Sequence, residues 1–150
     1  IVKGSPVVIS DDFEVEWMHM THSIIDNSTL AITTKSGTII HTGDFKFDHT
    51  PVDGYPADLH RLAYYGAKGV MCMLSDSTNS HNIGMTASEL SVRPGLENVF
   101  NGKKGRVFIS TFSSNIHRVF QAIEIGIAQG RKVCVIGRSM ERNLELALGY

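Results

Sequence analysis

Three apolar runs in this sequence each end by presenting an imidazole or a carboxylate. Thr21-His22-Ser23 closes one, His41-Thr42-Gly43-Asp44 the second, and Leu74-Ser75-Asp76-Ser77-Thr78-Asn79 the third. α/β enzymes assemble metal sites this way, from loops at one edge of a sheet. Imidazole and carboxylate suit zinc or manganese, and the two oxygens of Asp44 could bridge two ions. One hairpin's worth of chain separates His22 from Asp44, so two strand ends could meet at a common edge. On spacing alone the signal is weak. A single histidine is more often a hydrogen-bonded surface or core residue, and an aspartate after glycine is more often a turn former. His19 and His41 each stand three positions from a candidate, which on a strand is the opposite face. With His49, His60 and His81, which fall in loops or on an exposed helix face, they are left out of the site.

Asp76 has two readings. It could orient a catalytic histidine through a charge-assisted hydrogen bond, or it could form a local Asx-type turn with Asn79. A second group lies further on. Ser113, Ser114 and Asn115 precede a helix and could simply cap it. They could also seat a phosphate on hydroxyls and free helix amides, with Arg138 adding a guanidinium fork from the same sheet edge. His117 and Arg118 place cations in the first turn of that helix, against its dipole, which favours a compensating anion.

These residues need elements to hold them. Residues 6–9 read as a short strand, and Phe13 to Met20 as a strand ending near His22. Leu30 to Thr34 and Thr38 to His41 read as an antiparallel pair across the Lys35-Ser36-Gly37 turn. Asp58 to Gly66 reads as a short helix, with Asp58 near its cap and Gly66 as its stop. Val70 to Leu74 is wholly apolar, the pattern of a strand buried on both faces. Thr86-Ala87-Ser88-Glu89 fits a capping box, and Leu96–Phe100 a short helix. From residue 106 the pattern changes to strand, helix (115–129), strand (132–137) and a helix from Ser139. The face of the first helix is Ile116, Val119, Phe120, Ile123 and Ile127. Short joins between such elements predict a parallel βαβα layer. The fold class expected is therefore α/β, with a boundary between about residues 80 and 105.

Composition sets limits on partners. The chain has 150 residues and a formal net charge of −1, so binding to nucleic acid would depend on local patches. Cys72 and Cys134 sit in apolar runs, read as buried reduced thiols, and have no C-x-x-C partner. No run is long enough to predict a membrane span. Ile1-Val2 and the unstopped amphipathic helix through Tyr150 read as the ends of a piece of a longer protein.

Five motifs in order carry a resemblance: Thr21-His22-Ser23-Ile24, His41-Thr42-Gly43-Asp44-Phe45-Lys46-Phe47-Asp48, Leu74 to Asn79, Thr111 to Arg118, and Gly137-Arg138-Ser139-Met140. Together they make the chain similar to the bacterial ribonuclease J family, of the metallo-β-lactamase superfamily with a β-CASP insertion. The resemblance covers nearly all of the chain. It implies part of a metallo-β-lactamase αβ/βα sandwich over residues 1–80, a connecting segment at 81–104, and the start of a β-CASP domain at 105–150. It implies that His22 is a zinc ligand, that Asp44 bridges two Zn2+ (or Mn2+) ions, and that Asp76 orients a catalytic histidine elsewhere. It also implies hydrolysis of RNA phosphodiesters, endonucleolytic and 5′→3′ exonucleolytic, on RNA with a 5′-monophosphate. A cytoplasmic homo-oligomer, a dimer or tetramer acting in RNA decay and processing, goes with the family. The family's H-x-H-x-D-H motif is absent from the chain. The resemblance places it before Ile1, and the later histidines after Tyr150. The sequence also reads Ile24-Ile25-Asp26-Asn27 where the family more often has proline and then Asp-Ser.

Three other readings remain at this point. One is a metallo-β-lactamase hydrolase acting on a thioester or on DNA, although simple thioesterases lack a βαβα half. One is a phosphosugar-binding module built on Ser110 to Asn115, which leaves His22 and Asp44 without a role. The last is a non-catalytic scaffold of the same fold that binds RNA or a partner.

Overall fold

Residues 13–41 alternate in polarity and carry a two-residue turn, and they fold as an antiparallel meander. In the computed structural model, which describes residues 4–149, β1 (Val7–Ser10), β2 (Phe13–His19), β3 (Ser28–Thr34) and β4 (Gly37–His41) pair in sequence order. Thr34 pairs with Gly37 across Lys35-Ser36, as the hairpin reading requires. Helix α1 (Leu59–Lys68) follows, and β5 (Cys72–Leu74) then joins β4 in parallel. The result is a mixed five-stranded sheet in an α/β arrangement. The readings placed on Ile1-Val2 and on Tyr150 fall outside the described residues.

The described residues form two compact units. One contains the chain up to His22, Asp26–His49 and Tyr55–Thr86. The other contains Ser23–Ile25, Thr50–Gly54 and the chain from Ala87 onward. The expected connecting segment 81–104 is thus divided between them. Its second part forms a 3-10 turn at Glu89–Val92 and helix α2 (Arg93–Phe100). Ser88 caps that turn rather than Thr86: its Oγ accepts the Leu90 N–H at 3.2 Å and donates to the Thr50 carbonyl at 2.7 Å.

In the first unit the buried face of the sheet carries Glu16 and Met18 from β2, Thr29 and Ala31 from β3, and Thr38 and Ile40 from β4. Met18, Ala31, Ile40 and Tyr65 of α1 form the apolar centre, with Leu62 and Val70 against it. Glu16, 1 % exposed, is the anomaly in this layer. Two 2.6 Å bonds from Arg61 and one of 2.7 Å from the Tyr65 hydroxyl satisfy its carboxylate. A buried charge is tolerable only with such partners. Helix α1 passes through Gly66, the expected stop, and ends at Gly69. That residue sits at φ 102°, and its N–H bonds the Tyr65 carbonyl at 3.0 Å. Asp58 stands at the N-cap, but its carboxylate accepts the His19 N–H at 2.8 Å instead of capping the helix.

Three expectations are corrected here. Strand β5 is exposed along its length rather than buried on both faces, because it is the last strand of the sheet among the described residues. Cys72, on that strand, and Cys134 are both exposed thiols rather than buried ones. The expected strands at 106–111 and 132–137 join no ladder among the described residues, so no parallel βαβα layer forms there. Phe108 (86 %) and Ile136 (81 %) are exposed. An apolar run becomes a strand only when a neighbour accepts its backbone hydrogen bonds, and sequence pattern does not supply the neighbour.

The two helices of that segment do form, as α3 (Ile116–Ala128) and α4 (Arg138–Leu148). Helix α3 buries Ile116, Val119 and Ile125, whereas Ile127, expected inside, is exposed. The helix ends at Gln129, followed by Gly130 at φ 68°. No helix among the described residues is long and apolar enough to cross a membrane.

Candidate functional site

Strand direction decides where the candidate residues go. β2 is antiparallel to β3, β3 is antiparallel to β4, and β4 is parallel to β5. β2, β4 and β5 therefore run the same way, and their carboxyl ends share one edge of the sheet. Ligand sites in α/β sheets form outside such ends. His22 follows β2, Asp44 follows β4 and Asp76 follows β5, so all three leave the sheet at this edge.

Hydrogen bonds tie the three loops together. The Lys46 N–H donates to the Thr21 carbonyl at 2.9 Å. The Thr21 hydroxyl donates to the Lys46 carbonyl and accepts the Asp48 N–H at 3.2 Å. The loop bearing His22 is thereby joined to the loop bearing Asp44. Thr42 makes the second joint: its N–H bonds the Leu74 carbonyl at 3.0 Å, and its hydroxyl accepts the Asp76 N–H at 2.9 Å. Asn27, just before β3, donates from its carboxamide to the Asp44 carbonyl at 2.7 Å. Gly43 makes the intervening turn at φ 61°, the left-handed region that favours glycine.

Around this edge His22 is partly buried, Asp44 is exposed and Asp76 is partly buried. The Asp76 carboxylate accepts the Thr78 N–H at 2.9 Å, so the local Asx turn is real. Thr78, through its amide and then its hydroxyl, holds the Asp76 carboxyl below the usual carboxylate range. Burial opposes the shift, and the Phe45 N–H and the nearby His22 ring reinforce it. Asp76 thus builds its own turn, and the Phe45 amide and the His22 ring also act on its carboxylate. His41 stays outside the group, its Nδ1 accepting the Gly43 N–H at 3.1 Å. His19 Nε2 contacts the Tyr55 carbonyl at 3.0 Å.

The donor set of His22 and Asp44, one imidazole and one carboxylate, fits zinc or manganese chemically. No cluster of three or more His, Cys, Asp or Glu that could hold an ion occurs among the described residues. Two donors are fewer than the three protein ligands that a catalytic zinc ordinarily takes.

The second candidate group lies in the other unit. Asn115 caps α3, its Oδ1 accepting the Arg118 N–H at 3.2 Å. The Ser113 carbonyl accepts from Asn143 of α4 at 2.8 Å, and Ser114 is exposed. Arg138 opens α4, but with no strand at 106–111 or 132–137 there is no shared sheet edge to bring it beside Ser113 to Asn115. The argument from uncompensated cations is also corrected. Arg118 forks onto Glu89 at 2.8 and 2.9 Å, and His117 Nε2 lies 3.8 Å from Asp53. The protein's own carboxylates offset the helix dipole there. An open groove of about 380 Å3 between α2 and α3, lined by Arg93, Glu97, Asn101, Ile125 and Gln129, contains none of the candidates.

Thr21, Asn27 and Thr42 are the residues that sequence reasoning missed. The available signal was positional: a threonine stands directly before His22 and another two residues before Asp44.

The mixed five-stranded sheet with its helices places the chain among α/β proteins. The comparisons with known proteins make the class specific. Residues 104–150 match the family model described as ribonuclease J, beta-CASP domain. The whole chain is 61 % identical, over 152 aligned residues, to ribonuclease J of Helicobacter pylori, covering 22 % of that protein. It is 49 % identical to ribonuclease J of Synechocystis over 96 % of the chain and 23 % of that protein. Ribonuclease J of Thermus thermophilus is 45 % identical over 92 % of the chain and 24 % of that protein. Among solved structures, a protein of unknown function from Enterococcus faecalis matches all of the chain and 35 % of its own length, with a TM-score of 0.65 and 18 % identity, a likeness of fold alone. The chain belongs to the ribonuclease J family and spans about a fifth of the length of the curated relatives it matches.

Proposed function

We propose that the protein to which this chain belongs is a metal-dependent ribonuclease that hydrolyses RNA phosphodiesters, both within the strand and 5′→3′ from a 5′-monophosphate end. The observation that carries the reading is the convergence of the loops after β2, β4 and β5 on one sheet edge, tied by the Thr21 and Thr42 bonds. In this reading residues up to about 80 are part of a metallo-β-lactamase αβ/βα sandwich, and those from about 105 begin the β-CASP domain.

His22 and Asp44 would hold the metal, two Zn2+ or Mn2+ ions. When bound, such ions activate water and offset charge on the phosphate. Asp76 acts as an orienting acceptor. Its carboxyl, held low by Thr78, stays ionised through the neutral range, and an ionised carboxylate is what accepting an imidazole N–H requires. Ser113, Ser114 and Asn115 offer hydroxyl and amide groups to an RNA phosphate, with Arg138 as a separate cationic contact. The same reading extends to a cytoplasmic homo-oligomer engaged in RNA decay and processing.

Asp44 is the decisive position. In the full-length protein, Asp44→Ala should abolish cleavage of a 5′-monophosphorylated RNA while circular dichroism and the unfolding midpoint stay near wild type. Cleavage at a near wild-type rate would remove Asp44 from the reaction and the reading with it.

A further inference from the structure

Thr21 and Thr42 are each 5 % exposed, and each places its hydroxyl between two loops of the sheet edge. The Thr42 Oγ1 accepts the Asp76 N–H at 2.9 Å and donates to the Gly43 carbonyl at 2.7 Å. Its own carbonyl accepts the Thr29 hydroxyl at 2.8 Å, which anchors the residue to β3. One side chain therefore touches the turn that sets Asp44 and the amide of Asp76. Thr21 repeats the arrangement one step across the sheet. Its hydroxyl donates to Lys46 and accepts from Asp48, beside His22 on its own strand end and beyond Asp44 on the other.

A hydroxyl donates and accepts at once through a single atom. Valine has the same shape but would take these bonds from a part-buried amide and a part-buried carbonyl. The loops could then settle in other positions with no change in the strands beneath them.

We propose that Thr42, with Thr21 as its counterpart, is a positioning residue whose hydroxyl sets Asp44 and Asp76 relative to one another for RNA hydrolysis. The inference rests on the reading above that these two carboxylates serve that reaction. Neither threonine touches the substrate in this scheme. Misplacing reacting groups by about an ångström costs on the order of 100-fold in rate, so the effect belongs to kcat, with KM held by RNA contacts made elsewhere.

The test uses the full-length protein and a 5′-monophosphorylated RNA oligonucleotide. Thr42→Val should lower kcat by about 10–100-fold with KM roughly unchanged, and Thr42→Ser should restore most of the loss. Asp44→Ala is assayed alongside. If Asp44→Ala is inactive while Thr42→Val turns over at the wild-type rate, the positioning role is overturned and the ribonuclease reading stands. If Asp44→Ala itself retains activity, the ribonuclease reading fails first. Should Thr42→Val not fold, amide hydrogen exchange on the wild type and Thr42→Ser decides: a slowly exchanging Asp76 amide in both is the expected result. An Asp76 amide that exchanges like a free loop amide in either protein overturns the proposal.

Discussion

Gly43 shows how one residue can govern the site without taking part in it. It holds φ at 61°, and a Cβ built there would lie 3.1 Å from the Ser28 carbonyl oxygen. A left-handed backbone costs an L-residue about 1–2 kcal/mol, and the close carbonyl adds to that. Gly43→Ala should therefore lower stability by about 1–2 kcal/mol, read as a shift of the urea midpoint at unchanged slope. An alanine variant as stable as the wild type would mean that the turn relaxes freely. His22, Asp44 and Gly43 were legible in the sequence because imidazole, carboxylate and glycine each have few reasons to end an apolar run. Thr21 and Thr42 were not. At the end of a strand, threonine reads as one more β-branched residue, and only the fold shows that its hydroxyl bridges to another loop.

At the scale of elements, the packing of α1 on the sheet depends on a charge placed where the pattern calls for an apolar residue. Glu16 points inward from β2, and its partner Arg61 lies on α1, far along the chain. The Arg61 bonds hold the Glu16 carboxyl below its ordinary value near 4.5, against burial and with help from the Tyr65 hydroxyl. Burial above all, and then Glu16, pushes the ionisation of Tyr65 up. Arg61→Met should destabilise the protein by about 3 kcal/mol, at the low end for a broken buried pair because Arg61 retains some contact with solvent. The pair also fixes a direction with pH. Because the folded carboxyl titrates below its unfolded value, its contribution is complete above about pH 4.5 and is lost as pH falls through the lowered value. Chemical denaturation at pH 7 and again near pH 3 should show this loss in the wild type and a smaller one in Arg61→Met. Equal losses in the two proteins would discard the account.

The β3–β4 hairpin was legible for a physical reason: its strands pair as near neighbours across the two-residue Lys35-Ser36 turn, so local pattern and final partner coincide. The 106–111 and 132–137 runs show the opposite case. Their composition suits strands, yet pairing depends on a ladder that the described residues do not supply.

For the molecule as a whole, the two compact units divide the candidate chemistry between them. His22, Asp44 and Asp76 belong to one, and Ser113, Ser114, Asn115 and Arg138 to the other. Catalytic zinc sites ordinarily use three protein ligands, and the proposed pair, His22 with Asp44, would supply two. Calorimetric titration of the 150-residue chain with Zn2+ should therefore show weak binding, and the chain alone should not cleave RNA. A tight, stoichiometric isotherm would mean that further ligands lie within these residues. The fold class was legible from the sequence, whereas the place of Ser23–Ile25 and Thr50–Gly54 in the second unit was not. Ser23–Ile25 and Thr50–Gly54 pack with a unit whose main body begins only after them, as the 3.2 Å bond from the Ile116 N–H to the Ser23 carbonyl shows.

The parallel pairing of β4 with β5 bears on the chain as it leaves the ribosome. A meander needs only adjacent hairpins, so β2, β3 and β4 can be in place, and the bases of the His22 and Asp44 loops joined through Lys46, while residues beyond the fifties have yet to emerge. β5 cannot dock until the whole of α1 has emerged and turned back. In the order of synthesis, Asp76 is the last of the three groups to arrive.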